Sequence, residues 1–175
     1  MDAALLQRAR AVRLALFDVD GVLTDGRLWY GPEGETLKVF HTLDGHGLKM
    51  LAASGVATGL LSGRASPAVS HRARELGIAH ALLGVGEKSG PYEALLATLG
   101  LEDAQVAFMG DDLPDLPVLR RCGLAVAVPG AVPAVKAAAH HVTTAPGGGG
   151  AVREVCELLM RAQGTLDAAL GRFGT

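Results

Sequence analysis

The sequence predicts an α/β fold: a doubly wound, Rossmann-like, mostly parallel sheet with a β-hairpin inserted after the first strand. Three observations carry this. Short apolar, β-prone runs alternate with segments of helical periodicity along the chain, the pattern of a parallel sheet covered by helices on both faces. Several of the runs end abruptly in polar or acidic residues, as strands do where they reach a site beyond their carboxyl ends. The chain has 175 residues, 49% of them hydrophobic, enough for one domain (1–175) with a substantial core and too few for two ordinary ones.

Each element has a local reason. Residues 14–17 are an apolar run that breaks at Asp18-Val19-Asp20-Gly21, a buried strand ending in two carboxylates. Residues 27–30 and 36–40 are β-prone and flank Gly31-Pro32-Glu33-Gly34, which reads as a hairpin insertion over about 27–40. Residues 45–53 read as helix, 57–61 as strand, and 67–76 as a helix that opens on Pro67 and closes at Gly77. A strand over 78–83 precedes a helix over 91–99 that Gly100 ends, and 105–109 is an apolar strand running into Gly110-Asp111-Asp112. Helix 115–121, strand 124–128, helix 132–139, strand 141–143 and a closing helix 151–163 complete the order.

Composition excludes several classes of function. A formal net charge of −2 without a basic block argues against nucleic acid as a partner. No apolar stretch approaches the roughly 20 residues of a membrane span, and the run before Asp18 is too short for a secretory signal, so a soluble, cytoplasmic protein without a membrane partner is expected. Cys122 and Cys156 form neither a disulfide framework nor a metal-ligand spacing. The scattered histidines offer no convincing ligand pair; His46, between two glycines, reads mainly as a loop residue.

Four strand ends carry the polar residues: Asp18 and Asp20, then Ser62-Gly63-Arg64, then Lys88, then Gly110-Asp111-Asp112 with Asp115. Taken alone, each has an ordinary explanation as a turn, cap or solvated charge. Together, in this order on a doubly wound sheet, they point to a phosphate and Mg²⁺ site. Asp18 is a competent nucleophile toward phosphorus, and Asp20 a general acid and then base, which requires a pKa above its reference of about 3.9. Mg²⁺ would be held by Asp18, Asp111 and the backbone carbonyl of Asp20. Ser62 would hydrogen-bond phosphoryl oxygens, Lys88 would neutralise charge in the transition state, and Asp112 and Asp115 would orient metal waters and the lysine.

On these residues the chain resembles the haloacid dehalogenase superfamily. A more specific likeness, to the 3-deoxy-D-manno-octulosonate 8-phosphate phosphatases, extends over Phe17 to Gly26, Phe40 with Asp44-Gly45-His46-Gly47, Ser62-Gly63-Arg64, Gly110 to Asp115 with Pro117-Val118, and Gly147 to Glu154. The resemblance implies Mg²⁺-dependent hydrolysis of a sugar-acid phosphate through an aspartyl-phosphate, a place in lipopolysaccharide biosynthesis, and a capless homotetramer in which the hairpin and a neighbouring subunit cover the site. It also implies that Arg64, next to Gly63, meets the substrate carboxylate, for which a guanidinium fork is suited. Arg153 is a second candidate contact and equally a surface helix charge. Trp29 and Tyr30 on the hairpin read as interface packing residues.

Some positions depart from the family pattern: Leu43 stands where many relatives carry a basic residue, Glu87 replaces an amide-bearing neighbour of Lys88, and the tail 171–175 is short. These touch substrate grip more than the carboxylate chemistry. Phosphatases of nine-carbon keto-acid phosphates and the phosphatase-like module associated with acylneuraminate cytidylyltransferases are the near alternatives. A receiver-like signalling domain fits less well, because it needs no acid two residues after its phosphorylated aspartate; a non-catalytic assembly module would not need every chemical position filled.

Overall fold

A computed structural model of the chain describes residues 2–174. Its main sheet contains β1 (Leu14–Phe17), β4 (Ala57–Ser62), β5 (His80–Leu83), β6 (Val106–Gly110), β7 (Leu124–Ala127) and β8 (His141–Val142), and all its pairings are parallel. The order across the sheet is β5–β4–β1–β6–β7–β8. β2 (Trp29–Gly31) and β3 (Gly34–Leu37) pair antiparallel as the separate hairpin. The fold is therefore the doubly wound α/β sheet that the sequence predicts, with its hairpin after β1.

Eight α-helices accompany the strands among the described residues: α1 (Ala3–Ala11), α2 (Thr42–Ala53), α3 (Pro67–Leu76), α4 (Ser89–Leu99), α5 (Leu116–Leu119), α6 (Pro133–Ala138), α7 (Ala151–Ala162) and α8 (Leu166–Gly171). Right-handed crossovers place α2 and α3, which carry the chain from β1 outward to β5, on one face, and α4, α5 and α6 on the other, where the chain returns toward β8. α7 packs on α2 on the first face, and α1 packs on α7. The direction of winding reverses between β1 and β6, which opens a crevice at their carboxyl ends.

β1 is the centre of the core. All four of its residues are buried, flanked in register by β4 (Phe17 opposite Leu60) and β6 (Phe17 opposite Met109). Leu14, Leu16 and Phe17 are essentially inaccessible, and each such side chain contributes about 1.5–3 kcal/mol through burial. The strand has no solvent face, so its first polar residue, Asp18, marks where the sheet ends.

Several elements differ from the sequence expectation. α2 begins three residues before Gly45, because the His41 side chain accepts a hydrogen bond from the Leu43 amide and caps the helix there. His46 lies inside this helix, in line with the helix read over 45–53 and against its separate reading as a loop residue. The helix expected over 115–121 is shorter and is preceded by a 3₁₀ turn, Leu113–Asp115. α1 and α8 fall outside the predicted elements. They bury little apolar surface, Leu5 and Ala9 in α1 and Leu166 in α8, and so show weak periodicity. Of the tail singled out in the sequence, Thr175 lies outside the described residues.

Candidate active site

The crevice at the ends of β1, β4 and β6 is a cleft of about 260 Å³ lined by Asp18, Asp20, Gly26, Ser62, Gly63, Arg64, Lys88, Asp111, Asp112, Pro114 and Asp115. Every residue singled out from the four strand ends except Gly110 reaches it. Arg153 does not: its Nε pairs with Glu157 Oε1 at 2.6 Å, one helical turn along α7, and its backbone amide donates to Asp44. Its guanidinium is part-buried beside Glu157 on α7. A larger cleft, about 410 Å³, lies between α2 and the C-terminal residues and includes His46, but holds no carboxylate; the His46 ring meets Phe173 edge-on.

Asp18 follows β1 directly, with its amide donating to the Met109 carbonyl, so the sheet ladder sets its position. Its Oδ1 accepts from the Val19 amide at 2.7 Å and lies 3.0 Å from Lys88 Nζ. Lys88 precedes α4 as its N-cap residue, and its ammonium, nearly inaccessible, also reaches Asp115 Oδ1 at 2.5 Å. Asp115 in turn accepts the Asp111 and Asp112 amides on Oδ2, at 2.8 and 3.2 Å. Both of its oxygens are thus committed, and it ties Lys88 to the loop that carries Asp111. Asp112 spends its own carboxylate on the Leu113 amide, capping the 3₁₀ turn. Ser62, at the end of β4, is buried and its hydroxyl oxygen accepts from the Arg64 amide at 3.4 Å.

One atom in this arrangement is left over. Among the described residues Asp111 Oδ1 is the buried side-chain oxygen without a hydrogen-bond partner. Oxygens of Asp18, Asp111 and Asp115 lie within 4.8 Å of one another. Burial, followed by the neighbouring Asp115 charge, pushes Asp18 up to about 6, and burial with the Asp18 and Asp115 charges pushes Asp111 up to about 7. Carboxylates that resist ionisation together, with one oxygen orphaned, fit a hard divalent cation. Because Asp115 is fully engaged, Asp18 and Asp111 have the free ligand capacity. Gly21 contributes by lacking a side chain: a Cβ there would overlap the Asp111 carboxylate, and its φ of 86° is in the left-handed region.

Asp20 differs from its neighbours. Its carboxylate turns toward the hairpin, where Lys38 pairs with Oδ1, and toward Arg64, whose Nε lies 3.6 Å from Oδ2. Lys38 also lies 3.3 Å from Glu35, and Arg64 donates to both Glu35 Oε2 and the Tyr30 hydroxyl at 2.9 Å. The chain's own hairpin therefore closes onto its own acid pair. Lys38, Glu35 and the Tyr30 hydroxyl escape the sequence reading, which treats the hairpin as assembly surface. The available signal is the Glu35-to-Lys38 spacing in a short insertion adjoining the turn after β1. Of the departures from the family pattern, Glu87 caps α4 by accepting the Ser89 and Gly90 amides, and Leu43 is exposed on the first turn of α2.

Comparison with known proteins agrees with this geometry. Residues 86–154, which include Lys88 and the Asp111 loop, match the family model for haloacid dehalogenase-like hydrolases. The 3-deoxy-D-manno-octulosonate 8-phosphate phosphatase of Yersinia pestis is 45% identical over 95% of this chain and 89% of its own length. The crystal structure of the enzyme of that name from Moraxella catarrhalis, in complex with magnesium, phosphate and KDO, superposes with a TM-score of 0.94 at 41% identity, covering 97% of each chain. The cobalt-bound Haemophilus influenzae phosphatase gives a TM-score of 0.90 at 41% identity, over 93% of this chain and 95% of that one. With near-complete coverage at this identity, the chain belongs to the 3-deoxy-D-manno-octulosonate 8-phosphate phosphatase family of haloacid dehalogenase-like hydrolases.

Proposed function

We propose that this protein is a Mg²⁺-dependent phosphatase that hydrolyses 3-deoxy-D-manno-octulosonate 8-phosphate by way of an aspartyl-phosphate. The observation that carries it is the orphaned, buried Asp111 oxygen beside Asp18, inside a cleft that also holds a serine, a buried lysine and an arginine. Asp18 and Asp111 would hold the ion with the Asp20 backbone carbonyl; when bound, Mg²⁺ offsets the charge of the phosphoryl group and of the two carboxylates.

In the first half-reaction an Asp18 oxygen forms a bond to phosphorus as the sugar oxygen leaves, and Asp20 supplies the proton that oxygen takes up. In the second, Asp20 removes a proton from water as the water oxygen attacks phosphorus and the Asp18 carboxylate departs. Ser62 donates to a phosphoryl oxygen, and Lys88, held by Asp115, lies where negative charge accumulates. Asp112 steadies the Asp111 loop through its cap. Gly63 allows the phosphoryl group to approach β4 closely, and Arg64 on the rim receives the substrate carboxylate.

This reading includes one catalytic domain over residues 1–175, supported by the continuous hydrophobic cluster that joins the sheet to both helix layers. It also includes a homotetramer, supported by Leu28, Trp29, Tyr30, Leu37 and Val39, which leave an exposed apolar face on the hairpin. No helix among the described residues is long and apolar enough to cross a membrane. Cys122 and Cys156 are free thiols, in keeping with the reducing cytoplasm. A phosphate-release assay across phosphorylated eight- and nine-carbon sugar acids, simple sugars and nucleotides tests the reading. The eight-carbon sugar acid is expected to give the highest kcat/KM, and preference for any other class would replace it.

A further inference from the structure

Asp44 lines no part of the cleft, yet its carboxylate is nearly inaccessible. It stands in the first turn of α2, and both its oxygens accept backbone amides of another helix: Oδ1 from Arg153 at 2.8 Å and Oδ2 from Gly150 at 3.2 Å. α7 needs this. Its own N-cap residue is Gly150, with φ of 107° and no side chain to satisfy the first amides of the helix. α2 supplies the cap in trans, and Gly47 on the same helix lets Arg153 approach closely enough for it.

The capped end leads back to the acid pair. Immediately before it, the Gly148 amide donates to the Val22 carbonyl at 2.9 Å. Gly147 and Gly148 are seated so tightly on backbone 21–25 that a Cβ on either would overlap it. That backbone is the turn after Asp20, closed by the Val22, Leu23 and Thr24 amides on the Val19 carbonyl, and it presses Gly21 against Asp111. We infer that Asp44 is a positioning residue: by capping α7 it pins the glycine segment against the turn and holds Asp20 and the Asp111 carboxylate at their working separation.

This rests on the proposed phosphatase reading only for its effect on rate; the mechanical link stands on the contacts alone. The test uses the full chain with Asp44→Asn, which keeps one acceptor, and Asp44→Ala, which removes both. Val155→Ala, a buried α7 residue outside the cap, is the stability control. Amide hydrogen exchange is expected to rise at Gly148, Gly150 and Arg153 and to spread to residues 22–24 in both Asp44 variants, more in the alanine. In Val155→Ala it is expected to leave 22–24 protected. Assayed well below every melting temperature, kcat should fall by about a hundredfold for Asp44→Ala and less for Asp44→Asn, with KM little changed, because misplacing reacting groups by about 1 Å costs that much. Exchange confined to 148–153, or kcat losses matched by Val155→Ala at equal loss of stability, would overturn the inference. If Asp44→Ala does not fold, Asp44→Asn decides it by the same criteria. A wild-type protein inert toward sugar-acid phosphates would remove the function reading while leaving the exchange result to judge Asp44.

Discussion

Lys88 Nζ lies 3.0 Å from Asp18 Oδ1, and the same ammonium is held from behind by Asp115, so one buried cation serves two buried carboxylates. Removing the shared cation leaves both carboxylates uncompensated in a poorly solvated place, whereas losing the Asp18 charge still leaves Lys88 paired with Asp115. Lys88→Met is therefore expected to lower stability by about 3–5 kcal/mol and kcat by about 10²–10³-fold, seen in denaturant melts and phosphate release. Lys88→Arg should not restore the rate, since a planar fork cannot occupy a point-charge site between two carboxylates. Wild-type turnover in either variant would detach Lys88 from the chemistry.

Asp18→Asn should abolish phosphate release and leave the fold intact. The amide preserves the shape and still accepts the Val19 amide, so far-UV circular dichroism and the melting temperature should stay close to wild type. Burst kinetics on a chromogenic phosphate ester should show no covalent phosphoryl-enzyme. Retained turnover would return the nucleophile's role to another residue.

The raised carboxylates predict how the metal-free protein responds to pH. In the window from about 4 to about 7 the folded state retains protons on Asp18 and Asp111 that the unfolded chain has released, so more protons are bound folded than unfolded and stability falls as pH rises. Thermal melts in chelator should drop through that window, and Asp111→Asn should flatten the decline. Mg²⁺ should lift wild-type stability most at the upper end of the window and restore activity lost to chelator. A metal-free melting temperature that climbs between pH 5 and 7, with the same climb in Asp111→Asn, would contradict the assignment.

Arg64 sits on the cleft rim, bonded to Tyr30 and Glu35 of the hairpin. Replacing its fork by a point charge in Arg64→Lys should raise KM for a carboxylate-bearing substrate about tenfold, or about 1.4 kcal/mol. KM for a phosphate ester without a carboxylate should barely move. An equal rise for both esters would place Arg64 on the phosphate instead.

On the hairpin, Trp29 and Leu37 face each other across the strand pair and are both more than half exposed. Changing both to serine should cost an isolated chain little, since neither is part of its core. If these residues join subunits, light scattering should report a smaller particle for the double variant than for wild type. A wild-type protein that scatters as a monomer would remove the assembly role.

Much of the site was legible in the sequence because its signals are local. An apolar run that stops at Asp18-Val19-Asp20 declares a strand end whatever the chain does elsewhere, and the order Ser62, Lys88, Asp111 needs only the winding rule to bring the four ends together. Glycines and prolines likewise punctuated α3 and α4. The short helices α1 and α8 bury too few side chains to announce themselves.

By itself, then, the sequence determined the sheet, its winding and the residues at its carboxyl edge, because period and punctuation are written in consecutive positions. Only the tertiary structure decided what each charge meets. It gave Lys38 to Asp20, gave both Asp115 oxygens to Lys88 and the Asp111 loop, turned Arg153 to Glu157, and set Asp44 as the cap of a helix more than a hundred residues away. A buried charge is stable only where a partner reaches it, and the partner's sequence distance carries no trace of that need.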